Sequence, residues 1–156
     1  MAMRMVHSPR LERLGSDFQD ARSLGVVRVH LAEHRDALGL ELVDAFAEAC
    51  GYVPCGVHWH PSTQEQAVRL LAATLTRDLA YGECVMNEED CQRLLDAFFS
   101  LFPAEEDALR CFANCQWDET KGARSAFRVM TGATFDAVVV AVSCHHIGAI
   151  VIEDED

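Results

Sequence analysis

The residues of this chain that are best suited to chemistry lie in the segment CGVHWHPS. Cys55, His58 and His60 place one thiol and two imidazoles close together in the sequence, and sulfur and nitrogen are the ligands that zinc prefers. If the segment is extended, His58 and His60 project to the same side, because side chains alternate along a strand. The pattern indicates half of a zinc site or the reactive group of a thiol enzyme.

A structural zinc site needs four ligands, and the sequence offers Cys111 and Cys115 as the second pair. On a strand their Cα atoms would lie about 13 Å apart, at about 3.3 Å per residue. Both thiolates could not bind one ion at that separation. We therefore expect no cofactor and no metal, and we keep zinc at Cys55, His58 and His60 as the alternative.

A second group of chemical side chains, Cys144, His145 and His146, lies between two apolar runs. Adjacent residues on a strand point to opposite faces, so this group is more typical of a hairpin connection than of a metal site. No nucleophile elbow or glycine-rich phosphate loop occurs elsewhere. The sequence thus predicts no catalytic residue and favours a protein that is not an enzyme.

The charge of the chain excludes several classes of partner. The net charge is −12, and residues 83–107 carry eight acidic residues against Arg93 alone. This charge repels nucleic acid and anionic membranes and attracts a basic protein.

Seven cysteines, an odd number, fit reduced thiols in the cytoplasm. The predominance of Arg over Lys suggests a bacterial gene, and no apolar run approaches the about 18 residues of a membrane span.

Four helices and five strands are predicted from hydrophobic periodicity. The helices cover residues 9–23, 36–50, 62–81 and a segment from Asn87 to Phe102, and the strands cover 25–32, 108–117, 124–130, 135–143 and 147–153. Ser62 with Glu65 predicts a capping box, and Asn87 predicts an N-cap.

This order of elements predicts one α+β domain over residues 1–156, with residues 1–8 flexible. We expect three to four helices packed on one face of an antiparallel sheet, with a C-terminal β-hairpin formed by 135–143 and 147–153. The pairing of the 25–32 strand stays open at this stage.

The function that these features favour is a small acidic cytoplasmic module that binds a basic protein partner. Small size, acidity and a lack of catalytic motifs are typical of inhibitors and bacterial immunity proteins. The alternatives are a metal or thiol enzyme and a structural subunit of a homodimer or larger homo-oligomer. The predicted partner-binding residues are Glu88, Glu89, Asp90, Asp96, Glu105, Glu106, Asp107, Trp117, Glu153 and Asp154.

Overall fold

The computed structural model describes residues 3–36, 39–104 and 109–155. The helices are α1 (Pro9–Ala21), α2 (Leu40–Ala49), α3 (Gln64–Thr76) and α4 (Glu88–Phe99). The strands are β1 (Met3–Met5), β2 (Val26–His34), β3 (His60–Ser62), β4 (Arg110–Ala113), β5 (Gln116–Asp118), β6 (Ala123–Ser125), β7 (Phe135–Val142) and β8 (His146–Asp154). Six strands form an antiparallel sheet in the order β1-β2-β8-β7-β4-β3, and β5 pairs with β6 in a separate hairpin. The α+β class is confirmed.

The C-terminal hairpin forms the centre of the sheet. β7 and β8 pair in register from Phe135 with Asp154 to Val142 with Ile147, and nearly all of their residues are buried. Runs of Val and Ile suit this position, because β-branched side chains pack well on a sheet that is covered on both faces. β2 pairs with the other edge of β8, which answers the question of where the 25–32 strand belongs.

Helices cover both faces of the sheet. α1, α3 and α4 share one core with strand residues such as Val139 and Ile150, and α4 contacts both α1 and α3. α2 packs its Val43 and Phe46 against Val140 and neighbouring residues on the opposite face. Three helices therefore lie on one face, as expected, while the second face is closed by α2 and the loop that contains Trp59.

Two of the predicted helix boundaries shift for identifiable reasons. The capping box of α3 is formed by Thr63 and Gln66, one residue later than Ser62 and Glu65. Ser62 cannot cap the helix because it pairs with Cys111 in the sheet. α3 also ends at Thr76 rather than near residue 81, because the chain then forms a turn closed by a bridge between Arg77 and Cys84.

The predicted strands 108–117 and 124–130 differ most from the structure. The first is divided into β4 and β5, and only Arg124 and Ser125 of the second lie in a strand, β6. The break falls at Asn114, whose buried side chain bonds to the backbone of Arg128 and Val138. Residues 3–5, which belong to the predicted flexible segment, form β1 and pair with β2.

One buried ion pair joins three of these elements. Arg22, at the end of α1, donates to both carboxylate oxygens of Asp154 in β8, at 2.5 and 2.8 Å. It also donates to the carbonyl oxygens of Thr74, Leu75 and Arg77, at the end of α3. Both side chains are almost completely buried. A buried charge pair is tolerated only when its remaining hydrogen bonds are made, and here they are made.

Gly25 is the position at which this ion pair should be most sensitive to substitution. Its φ is +72°, and an added Cβ would lie 1.9 Å from Asp154 Oδ1 and 2.6 Å from the carbonyl oxygen of Glu153. Gly82 has the same φ of +72° with no atom within 4 Å of such a Cβ. We expect Gly25→Ala to lower the free energy of unfolding by at least about 2 kcal/mol more than Gly82→Ala does.

Urea denaturation of the two variants and the wild type measures this difference. The two glycines share a φ of +72°, so an excess loss in Gly25→Ala reports the collision of its Cβ with Asp154, Arg22 and the Glu153 carbonyl. Equal losses in the two variants would contradict this account.

Candidate functional site

The ends of α1 and α3 meet the beginning of α4 at one end of the helix layer. The Ser23 N–H donates to the Val85 carbonyl at 2.8 Å, and the Val85 N–H donates to the Thr76 carbonyl at 2.8 Å. α4 begins at Glu88, directly after this junction. Leu24, the loop after α3 and the first turn of α4 therefore lie side by side.

We call the surface formed there by Leu24, Tyr81, Glu83, Glu88 and Glu89 the acidic end. All of its members are exposed. Tyr81 is 73% exposed and Leu24 is 53% exposed, so two large apolar side chains face solvent beside three carboxylates. Large exposed apolar groups beside charges are typical of protein-binding surfaces.

The loop that carries Tyr81 is held by one carboxylate. Asp78 accepts hydrogen bonds from the backbone N–H groups of Ala80, Tyr81 and Glu83, at 3.0, 2.6 and 2.9 Å. These bonds, that of Tyr81 foremost, hold the pKa of Asp78 below its ordinary value. Gly82 completes the turn with a positive φ of +72°. Tyr81 is thus exposed at the tip of an ordered loop.

The electrostatics of the acidic end are negative. In the described part of the chain, Glu83, Glu88 and Glu89 make no ion pair, whereas Asp90 is paired with Arg93 at 3.3 Å. The partially negative C-terminal ends of α1 and α3 and the partially positive N-terminal end of α4 meet here. Arg22 compensates the end of α3 inside the protein. The exposed Arg77, which donates to the Gly82 carbonyl, is outnumbered by the three carboxylates, so the surface is negative.

The other predicted partner-binding residues of the middle of the chain lie elsewhere or are undescribed. Asp96 is exposed farther along α4, where it accepts from Gln92. Trp117 is half-buried and lines a cleft of about 510 Å³ with Gln66 and Arg69 of α3. This cleft lies about 10 Å along α3 from the acidic end, at about 1.5 Å per residue. Residues 105–107 lie outside the described ranges.

The two predicted acids of the C-terminus are engaged within the fold. Glu153 forms an ion pair with Arg28. Asp154 is buried, and besides Arg22 it accepts from the Leu79 N–H at 2.7 Å. Its carboxylate is occupied in fixing β8 to the helices, so we leave it out of the docking surface.

The alternative zinc ligands are in different environments. Cys55 is buried beneath α2, and burial, with a contribution from Asp44, raises the pKa of its thiol to about 11. His58 is exposed, and His60 donates from Nε2 to the Ala126 carbonyl at 2.7 Å. Among residues 3–36, 39–104 and 109–155, no group of three or more His, Cys, Asp or Glu side chains is placed to hold a metal ion.

Three of the remaining thiols, those of Cys50, Cys91 and Cys111, are poorly suited to nucleophilic chemistry. Burial raises the pKa of Cys50 and of Cys111 to about 12, and it raises that of Cys91 to about 11. Such thiols are protonated at neutral pH, and the thiolate is the nucleophile. Cys144 lies in the connection between β7 and β8, as the sequence predicts.

No protein-family model, curated protein or solved structure shows a significant similarity to this chain. None of the helices in the described ranges combines the length and the apolar character that crossing a membrane requires.

Tyr81 and Leu24 are not among the residues that the sequence predicts to bind a partner. The predicted helix over 62–81 placed Tyr81 in the final turn, because Leu79 continues the apolar period of α3. A signal was present in DLAYGE, where an Asp and a Gly flank the aromatic residue. Asp side chains favour such turns by bonding to backbone N–H groups a few residues ahead.

The bonds of Asp78 predict a pH dependence of stability. A carboxyl whose pKa is lowered by folding stabilises the protein above its unfolded pKa, and that stabilisation is lost as the pH falls through the folded pKa. We expect the stability advantage of wild type over Asp78→Asn to shrink as the pH falls from about 5 to about 2. Thermal unfolding at several pH values measures it.

Asp20→Asn is the matched control, since Asp20 is exposed on α1. An advantage of wild type over Asp78→Asn that does not vary with pH would show that the carboxylate does not hold this loop.

Proposed function

We propose that the protein is a small acidic binding module that docks a basic protein through the acidic end. The observation that supports this most is Tyr81, an aromatic side chain that is 73% exposed on a loop fixed by three hydrogen bonds to Asp78. An exposed aromatic ring is unfavourable in water. A partner that buries the ring removes this contact with water, which contributes to the free energy of binding.

The acidic end combines the two contributions that protein docking requires. Tyr81 and Leu24 supply apolar area for a partner to bury, which contributes to affinity. Glu83, Glu88 and Glu89 supply long-range attraction, which mainly raises the association rate. Because the loop is already ordered, little conformational entropy is lost on binding.

The partner that fits this surface is a protein with an exposed Lys- or Arg-rich area beside an apolar pocket. The same chemistry would suit an inhibitor or immunity-type role in a bacterial cytoplasm, since an acidic module that covers the basic substrate site of a nuclease would block it. The net charge of −12 supports this assignment, because nucleic acid would be repelled from the module itself.

Affinity capture from the native host at low salt, with the full chain as bait, tests the partner. We expect a basic protein whose binding weakens as the salt concentration rises. Tyr81→Ala should weaken binding by at least about 30-fold, the loss typical of a central aromatic anchor. Phe127→Ala, at another exposed aromatic residue, is the control and should change the affinity little.

The carboxylates are tested by the double variant Glu88→Gln with Glu89→Gln. It should slow association by about threefold to tenfold at low salt and leave dissociation nearly unchanged. Glu41→Gln with Glu48→Gln makes the same change in net charge at exposed positions of α2, on the opposite face of the sheet. Binding that is indifferent to salt, or equal slowing in the two double variants, would refute docking by the acidic end.

A further inference from the structure

A second unusual surface lies away from the acidic end, on two neighbouring loops. Half of the exposed large apolar side chains in the described ranges are gathered there: Val53 at 65%, Val57 at 84%, Phe127 at 53% and Val129 at 43%. The Val53 N–H donates to the Met130 carbonyl at 3.0 Å, which joins the two loops. The two loops therefore lie side by side, and both carry exposed apolar side chains.

The backbone of residues 127–130 has the hydrogen-bonding pattern of a strand with one open side, and it begins directly after Ala126, whose φ of +48° turns the chain. Arg128 bonds inward through both its N–H and its carbonyl, to the backbone and the side chain of Asn114. Met130 also bonds inward, through its N–H to Asp136 and through its carbonyl to Val53. Within the described residues, the N–H and carbonyl groups of Phe127 and Val129 have no partner. Alternation of this kind leaves every second residue directed outward.

A buried polar network keeps this edge in place. Asp136 accepts from Asn114 Nδ2 at 2.7 Å and from the N–H groups of Met130 and Thr131, at 2.9 and 2.8 Å. Asn114 and Asp136 are both almost fully buried. The edge is consequently formed before any partner arrives, which lowers the entropy cost of pairing with it.

The segment that forms the edge is itself basic, although the acidic side chain of Glu155 bonds to Thr134 at its far end. Residues 120–135 contain Lys121, Arg124 and Arg128 and no acidic residue. Arg124 donates to the carbonyl of Asp136, and its guanidinium lies 5.1 Å from the centroid of the Phe127 ring. A complementary occupant therefore carries carboxylates.

The same charge argues against self-pairing of two copies. A symmetric antiparallel pair centred on this edge would bring Arg128 against its own counterpart, and like charges directly opposite each other are destabilising. An acidic strand of another protein meets no such repulsion.

We propose that residues 127–130 form a docking edge for an extended, acidic segment of a partner protein, which adds to it as a β-strand. Main-chain hydrogen bonds to Phe127 and Val129 would contribute affinity that does not depend on the side chains of the added strand. Because side chains alternate, apolar residues of the added strand would face Phe127 and Val129, and a carboxylate would face Arg128. This edge is separate from the acidic end, so the two surfaces can be occupied independently.

The probe for this edge is a blocked synthetic peptide in which valine alternates with glutamate. Titration into the ¹⁵N-labelled full chain should shift the amide resonances of Phe127 and Val129 in a saturable way. The same peptide with lysine in place of glutamate should not bind. N-methylation of alternate valines, which removes the donors to the edge, should weaken binding by at least about tenfold.

Arg128→Glu should also weaken binding of the glutamate peptide by at least about tenfold. Arg13→Glu makes the same charge change at an exposed position of α1 and should have no effect. No saturable shift at Phe127 and Val129, or equal binding of the N-methylated peptide, would overturn the proposal. Concentration-dependent dimerisation through Phe127, seen by sedimentation and NMR, would also overturn it by assigning the edge to a second copy.

Discussion

The buried pair of Arg22 and Asp154 is the interaction on which the arrangement of this protein depends. Through one guanidinium, the end of α1, the end of α3 and the end of β8 are joined. Breaking a pair of this kind by removing one partner costs about 3–5 kcal/mol, because the other charge is left buried. The close approach of Gly25 to Asp154 shows how tightly the chain is folded around it. The acidic end is built on this junction, since Leu24 and the Tyr81 loop extend directly from it.

The pair also closes a topology that depends on the end of the chain. β8 lies between β2 and β7 in the middle of the sheet, so the strand nearest the C-terminus completes the core. Val26 pairs with Glu153, which joins residues separated by most of the chain. Pairing strands that are distant in the sequence loses chain entropy before any contact between them forms. The ion pair of Arg22 with Asp154 offsets part of that loss, and it lies at the end of β8, where the strand would otherwise fray.

The sequence predicted the parts of this fold that depend on local pattern. The hairpin of β7 and β8 was predicted because Val and Ile runs flank a short polar connection. Asn87 was predicted as an N-cap because its side chain bonds within its own turn. The role of Arg22 was not readable, because an Arg after a helix is usually solvated and its partners lie far away in the sequence. The break between β4 and β5 at Asn114 was not predicted for the same reason, because its partners Arg128 and Asp136 are distant in the sequence. Tyr81 was hidden by a helical period that the turn at Asp78 overrides.

Among the described acidic residues, two physical classes are present that the sequence letters do not distinguish. Asp78, Asp136 and Asp154 are buried, and each collects donors from backbone or side-chain N–H groups. A buried carboxylate without such donors would be strongly unfavourable, so these three are committed to structure. Two of them directly shape the proposed surfaces, because Asp78 orders the loop of Tyr81 and Asp136 orders the edge at Phe127. The exposed acids such as Glu88 and Glu89 make no comparable bonds and keep their charge available to solvent. Buried acids such as Asp78 and Asp136 thus hold the fold together, and exposed acids such as Glu88 and Glu89 supply negative surface charge.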